Sequence, residues 1–133
     1  MATLIDADVL IEAERGRLDL MAWLSARSDE EFKLAAITVA ELWHGVERAS
    51  GQQRVQRANY LERIFALFEI VPYTETTAML HARLWAELAA RGQLIGAHDL
   101  ILAATALAEG AFVATFNARH LAQVPGLRIL SPI

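Results

Sequence analysis

Thr3-Leu4-Ile5-Asp6-Ala7-Asp8-Val9-Leu10-Ile11 passes from a short apolar run to two aspartates and back to apolar residues. Residues 3–5 read as a brief buried strand, and Asp6 opens a helix over 8–14. An Asp at such a junction accepts amide hydrogen bonds and serves as a helix cap. Two aspartates within three residues are more than one cap requires. Further short apolar runs at 34–37, 70–71, 112–115 and 128–130 read as four more buried strands. Between them, helical periodicity covers 18–27, 39–48, 53–68, 74–91 and 97–109. Residues 39–48 and 53–68, split by Ser50-Gly51, form a helical hairpin, with Leu61, Ile64, Phe65 and Phe68 as the apolar stripe of its second arm.

Strands alternating with helices predict an α/β fold: a short, mostly parallel central sheet of about five strands in a three-layer α/β/α arrangement. With 133 residues, no repeat and no Pro/Gly/Ser-rich linker, residues 1–133 are expected to form one domain. The absence of cysteine excludes disulfide scaffolds, thiolate metal sites and cysteine nucleophiles. Mean hydropathy is positive, +0.29, yet the longest uncharged runs, 100–108 and 110–118, fall well below the roughly 18 residues of a membrane span. With no basic, apolar leader visible, the expectation is a cytoplasmic protein that does not enter the membrane. Its apolar excess points to an oligomer interface. A net charge of −4 argues against a broad basic nucleic-acid face. It leaves room for a phosphate substrate whose charge is met by a cation held on acidic residues. The basic residues are eleven Arg and one Lys, and Arg suits bidentate phosphate contacts.

In parallel α/β sheets, ligands sit outside the carboxyl ends of the strands, near the switch in strand order. The residues following each strand therefore carry the functional reading. After the second comes Thr38-Val39-Ala40-Glu41. It fits a capping box, with Glu41 reaching back to the cap amide, and equally a carboxylate set over the strand ends. Asp99, after Ile95-Gly96-Ala97-His98, stands in the first turn of an almost wholly apolar helix, where it complements the helix dipole or enters a partly desolvated place needing a partner. After the fourth strand come Asn117, a common turn residue, and Arg119, a surface residue or a phosphate contact. Taken together, Asp6, Glu41, Asp99 and Asn117 fall on one edge of one sheet. Three gathered carboxylates repel and raise each other's pKa. A hard divalent cation with oxygen ligands gives a reason to gather them, and Mg2+ or Mn2+ so held would act on a phosphodiester. The histidines (His44, His81, His98, His120) lack the paired spacing of a zinc site. Trp43 and Trp85 read as packing or interface residues.

Four segments in order resemble the PIN-domain ribonucleases, in particular the toxin subunits of VapBC-type toxin–antitoxin pairs. They are Leu4-Ile5-Asp6-Ala7-Asp8-Val9-Leu10-Ile11; Thr38-Val39-Ala40-Glu41-Leu42; Ile95-Gly96-Ala97-His98-Asp99-Leu100; and Thr115-Phe116-Asn117-Ala118-Arg119-His120-Leu121. The resemblance spans essentially the whole chain. It implies a metal-dependent endoribonuclease of PIN-like fold, with Asp6, Glu41 and Asp99 as ligands of Mg2+, or Mn2+ in its place. Asn117 takes the fourth acidic-or-amide position and leaves the site one charge poorer than an Asp would. Asp8 and Arg119 are implied in supporting roles. The partners implied are an RNA substrate, a cognate antitoxin protein covering the acids, and a second copy in a homodimer. Two alternatives stand beside this reading. One is a non-catalytic PIN-like module for partner binding. The other is a haloacid-dehalogenase-like phosphatase with Asp6 as nucleophile, disfavoured because Lys33 precedes the second strand and Glu109 is the single acid after Asp99.

Overall fold

The computed structural model describes Met1–Ile133. Five parallel strands, β1 (Ala2–Ile5), β2 (Glu31–Ala35), β3 (Glu69–Val71), β4 (Phe112–Ala114) and β5 (Arg128–Leu130), form one sheet in the order β3-β2-β1-β4-β5. Helices α1 (Ala7–Glu14) and α2 (Leu20–Ala26) link β1 to β2, and α3 (Ala36–Glu47) and α4 (Gly51–Phe65) link β2 to β3. Helices α5 (Glu75–Ala90) and α6 (Ala97–Glu109) cross from β3 to β4, and the short α7 (Ala118–Leu121) precedes β5.

Alternation along each strand builds the three layers, because successive side chains point to opposite faces. Leu4, Ala35 and Val113 pack with Leu84, Leu88, Leu102 and Leu121 on the face covered by α5, α6 and α7. Their neighbours Ile5, Leu34 and Ala114 pack with Leu10, Trp23, Leu42, Val46, Leu61 and Ile64 on the face covered by α1 to α4. The expected three-layer α/β/α fold, with its five strands and helical hairpin, is therefore the observed one. No helix is long and apolar enough to cross a membrane.

Three local readings are corrected. The strand expected at 34–37 runs over Glu31–Ala35, and Ile37 belongs to α3. An apolar run of this length suits strand and helix alike. The strand's charged start escapes notice because Lys33, in register with Glu69, is held by it at 2.9 Å across β2 and β3. Second, α3 is capped at Ala35, so Thr38 is its third residue rather than its cap. The Thr38 hydroxyl is buried without a hydrogen-bond partner, and Glu41 is a further turn along, out of reach of the cap amide; the capping box does not form. Third, the strand expected to be buried at 70–71 lies at the sheet edge, which leaves Ile70 exposed and Val71 alone buried. In the hairpin's second arm, Leu61 and Ile64 are buried while Phe65 and Phe68 are half-buried, Phe68 lying beyond the end of α4.

Strand order reverses between β1 and β4. Chain leaving β1 goes to β2 on one side, whereas β4 enters on the other. This opens a crevice at their carboxyl ends, the place where open α/β sheets bind ligands.

Candidate active site

Asp6 is the first residue past β1 and caps α1. Its backbone N–H donates to the Ala114 carbonyl at 2.9 Å, extending the β1–β4 ladder by one residue. One carboxylate oxygen, Oδ1, accepts from the Ala7 N–H at 2.7 Å, and Oδ2 lies 2.9 Å from the Thr115 hydroxyl. Asp8, in the first turn of α1, reaches the same hydroxyl at 3.1 Å and accepts the Phe116 N–H at 3.1 Å. Thr115 Oγ1 in turn accepts the Asn117 N–H at 2.9 Å. Since a hydroxyl has one proton to give, Thr115 bonds one aspartate at a time and stands between the two.

The crevice is completed by helices from opposite layers. Helix α3 packs against α6 over the strand ends, and this pairing brings Glu41 towards Asp99. Both are half-buried. Glu41 has the His98 ring beside it, with Nδ1 3.6 Å from Oε1.

The electrostatics record the crowding. Burial first, then the charge of Asp8, push the Asp6 carboxyl up to about 7, against the hydrogen bonds from Thr115 and Ala7 that pull it down. The Asp8 carboxyl is raised by burial despite the amide and hydroxyl donors around it. Burial raises Glu41, with Asp99 and then Asp8 adding repulsion. No Arg or Lys pairs with any of the four acids. The side chains do not themselves close into a three-ligand cage. As a donor set, however, they are oxygen-only and anionic, and they are mutually repelling in a place that burial has partly desolvated, which fits a hard divalent cation.

The sequence-predicted residues divide as follows. Asp6 is brought within electrostatic reach of Asp8 and Glu41, and Glu41 within reach of Asp8 and Asp99. Asn117 follows them at the mouth, exposed, bound through its backbone N–H and making no side-chain cap to α7. Arg119 and His120 are exposed and line a shallow cavity of about 560 Å3 together with Gly96 and Gln93. Thr115 was not foreseen as a site residue. Its signal was a polar side chain ending an otherwise apolar strand, and it is 1% exposed.

A crevice of unpaired carboxylates at the switch point of a β3-β2-β1-β4-β5 parallel sheet defines a class of acidic α/β sites, and the comparisons give that class its family. The chain belongs to the PIN-domain family, which matches residues 3–127, and within it to the VapC-type toxin ribonucleases. It is 34% identical to the VapC ribonuclease Y4jK of Sinorhizobium fredii, over 96% of this chain and 95% of that one. It is 28% identical to ribonuclease VapC1 of Rickettsia felis, over 98% and 96%. Among solved structures, VapBC of Salmonella typhimurium bound to DNA superposes with a TM-score of 0.90 at 22% identity, covering 100% of this chain and 99% of that one. VapBC-5 of the Mycobacterium tuberculosis toxin–antitoxin systems gives 0.75 at 28% identity, over 98% and 96%.

Proposed function

We propose that the chain is a single nuclease domain over 1–133 that cleaves RNA in the cytoplasm with the help of Mg2+, or Mn2+ in its place. Asp6, Glu41 and Asp99 would hold the cation, Asn117 would stand at the fourth position, and Asp8 and Arg119 would support them. One observation carries this reading: four carboxylates share one crevice and none is paired with Arg or Lys. When bound there, a divalent cation supplies Lewis acidity towards a phosphodiester and its attacking water.

The chain's own groups divide the remaining work. Asp6 has donors on both oxygens, Ala7 N–H and the Thr115 hydroxyl, and is buried, so it acts as a fixed anchor. Asp8 is held by the Phe116 N–H and shares the Thr115 hydroxyl with Asp6. Glu41 and Asp99 carry no hydrogen-bond donors of that kind and are half-buried. They are the carboxylates free to orient a water and take its proton as it attacks phosphorus. Arg119, exposed on α7, would meet the substrate's negative charge.

The VapBC relatives are complexes, and by analogy the proposed protein partner is an antitoxin with a segment that covers the acids. A homodimer is proposed on the exposed apolar residues of α5, Met79 and Trp85, together with Tyr73 and Leu94. The deciding experiment is cleavage of RNA by the purified protein in Mn2+ against EDTA. Cleavage in Mn2+ that stops on chelation is expected; undiminished cleavage in EDTA would remove the acids from the chemistry.

A further inference from the structure

The acids are not the only charged cluster beside the crevice. Helices α1, α3 and α4 enclose a cavity of about 210 Å3 whose wall carries Arg15, Arg48, Arg57 and His44. Its acids are Glu14 and Glu41 alone. Three Arg against two Glu leave this wall a small formal positive excess in a chain of net charge −4. The three arginines differ in freedom. Arg57 is set in place, half-buried, donating to the Gly45 carbonyl at 3.4 Å with its Nε 3.5 Å from Glu14. Arg15 is exposed, with Glu12 at 3.7 Å. Arg48 has no acidic partner, because its neighbour Glu47 pairs with Arg54 at 3.2 Å. Arg57 and Arg15 have acidic partners in Glu14 and Glu12, so Arg48 is the guanidinium of this wall left without one. Glu41 belongs to this wall and to the acid crevice at once, so the two sites adjoin through a single side chain.

We infer that this arginine-lined cavity is a phosphate subsite that grips the RNA backbone next to the phosphodiester presented to the acids. The inference rests on the RNA-cleaving reading of Asp6, Glu41 and Asp99. Guanidinium forks match phosphate oxygens in pairs. Arg57 is the preset donor, and Arg48 and Arg15 close over the bound group. The placement answers a problem of the acid crevice, whose own negative charge repels an RNA strand until the neighbouring phosphate is held.

The test measures binding and cleavage separately on the full chain. A fluorescein-labelled single-stranded oligoribonucleotide is titrated in EDTA at several salt concentrations, and KM and kcat are then measured in Mn2+. Arg48→Gln is expected to weaken binding about tenfold and to lower the salt slope by about 0.7, the value for one phosphate contact on a single strand. It should raise KM more than it lowers kcat. Arg48→Lys should keep the salt slope and recover part of the affinity. Arg83→Gln, on α5 outside the cavity, is the control and should change neither. An unaltered dissociation constant and salt slope in both Arg48→Gln and Arg15→Gln would overturn the subsite. So would loss of a co-expressed antitoxin with RNA binding intact, which would make the cavity a protein contact. If wild type binds RNA through Arg48 yet cleaves none in Mn2+, the nuclease reading fails and the subsite stands. If wild type cleaves and the arginine variants match it, the subsite alone falls, and if wild type neither binds nor cleaves, both do.

Discussion

Asp6 and Asp8 on one side of the crevice are tied down, whereas Glu41 and Asp99 on the other are not. The first pair hangs on backbone amides and on Thr115, at the ends of two paired strands. The second pair stands on two helices of opposite layers and accepts no hydrogen bond, His98 Nδ1 lying 3.6 Å from Glu41. Rigid anchors on one side and adjustable carboxylates on the other are what a site needs when its geometry is completed by a ligand. The fixed half sets position, and the loose half gains order on binding. Substitutions on the two sides should therefore fail in different ways.

The largest effect is expected at Asp6. Asp6→Asn keeps an oxygen for the Ala7 N–H but removes the buried charge, and cleavage should fall by at least about a thousandfold, a loss of roughly 4 kcal/mol in transition-state stabilisation. Its stability should move the other way. A carboxyl held at about 7 in the fold and near 3.8 when unfolded keeps its proton in the native state alone between those values. Native protein then binds more protons than unfolded, so stability falls as pH rises through that window. The raised pKa values of Asp8 and Glu41 have the same sign. Without metal, the wild-type melting temperature should drop by about 5 °C between pH 5.5 and 8, and Asp6→Asn should flatten much of that slope. A wild-type melting temperature that climbs over this range would mean the acids are not crowded.

On the loose side, Glu41→Gln sharpens the contrast. The capping role is removed by the position of Thr38 inside α3, so no backbone bond is lost. Replacing one of the repelling charges should keep or slightly raise the metal-free melting temperature. An amide oxygen is a poor substitute for a carboxylate on a hard cation, and most metal-induced stabilisation should disappear along with most cleavage. Cleavage within about twofold of wild type, roughly 0.4 kcal/mol in barrier, would make Glu41 a bystander.

How much of this was readable beforehand follows from the range of the interactions. Asp6 and Asp8 were legible because a strand-to-helix junction is local, and Asp99 because an acid in the first turn of an apolar helix is a local signal too. Glu41 was legible as a carboxylate near a helix start, but the start itself was misplaced, since Leu34-Ala35-Ala36-Ile37 offers no cap residue to mark the boundary. Thr115, just past the end of β4, was hidden because its importance comes from partners 109 and 107 residues away. The same is true of Arg48 and Arg57, ordinary exposed positions on a helical hairpin until α1 folds across to bring Arg15 beside them.

Thr115 tests what holds the fixed half. Thr115→Val keeps the shape of the side chain and deletes the hydroxyl, leaving one fewer donor for Asp6 and Asp8 and no acceptor for the Asn117 N–H. Stability should fall by about 1–3 kcal/mol, the usual result of stranding buried polar groups. Cleavage should fall about tenfold, because Asp6 and Asp8 keep their amide donors and lose one shared tie. Thr115→Ser, which keeps the hydroxyl, should recover most of both. Equal loss in the Ser and Val variants would show that the methyl group's packing, rather than the hydrogen bonds, fixes the aspartates.

Asn117 should give the smallest effect and separate the two halves most finely. Its bond to Thr115 comes from the backbone N–H at 2.9 Å, which any residue but proline supplies. Its side chain makes no cap bond to α7 and the residue is exposed at the mouth. Asn117→Ala therefore leaves the Asp6–Thr115–Asp8 tie in place and should leave the melting temperature unchanged. The side-chain amide can donate or accept near a bound cation or its water but adds no formal charge. Its removal should lower cleavage by about threefold, well short of Asp6→Asn, an effect of roughly 0.7 kcal/mol. The residue before a short helix at the mouth would then adjust a site that the tethered aspartates define. A loss at Asn117 as large as that at Asp6 would reverse the assignment: the cation would sit towards the mouth, between Asn117 and Asp99, and the tethered pair would be structural.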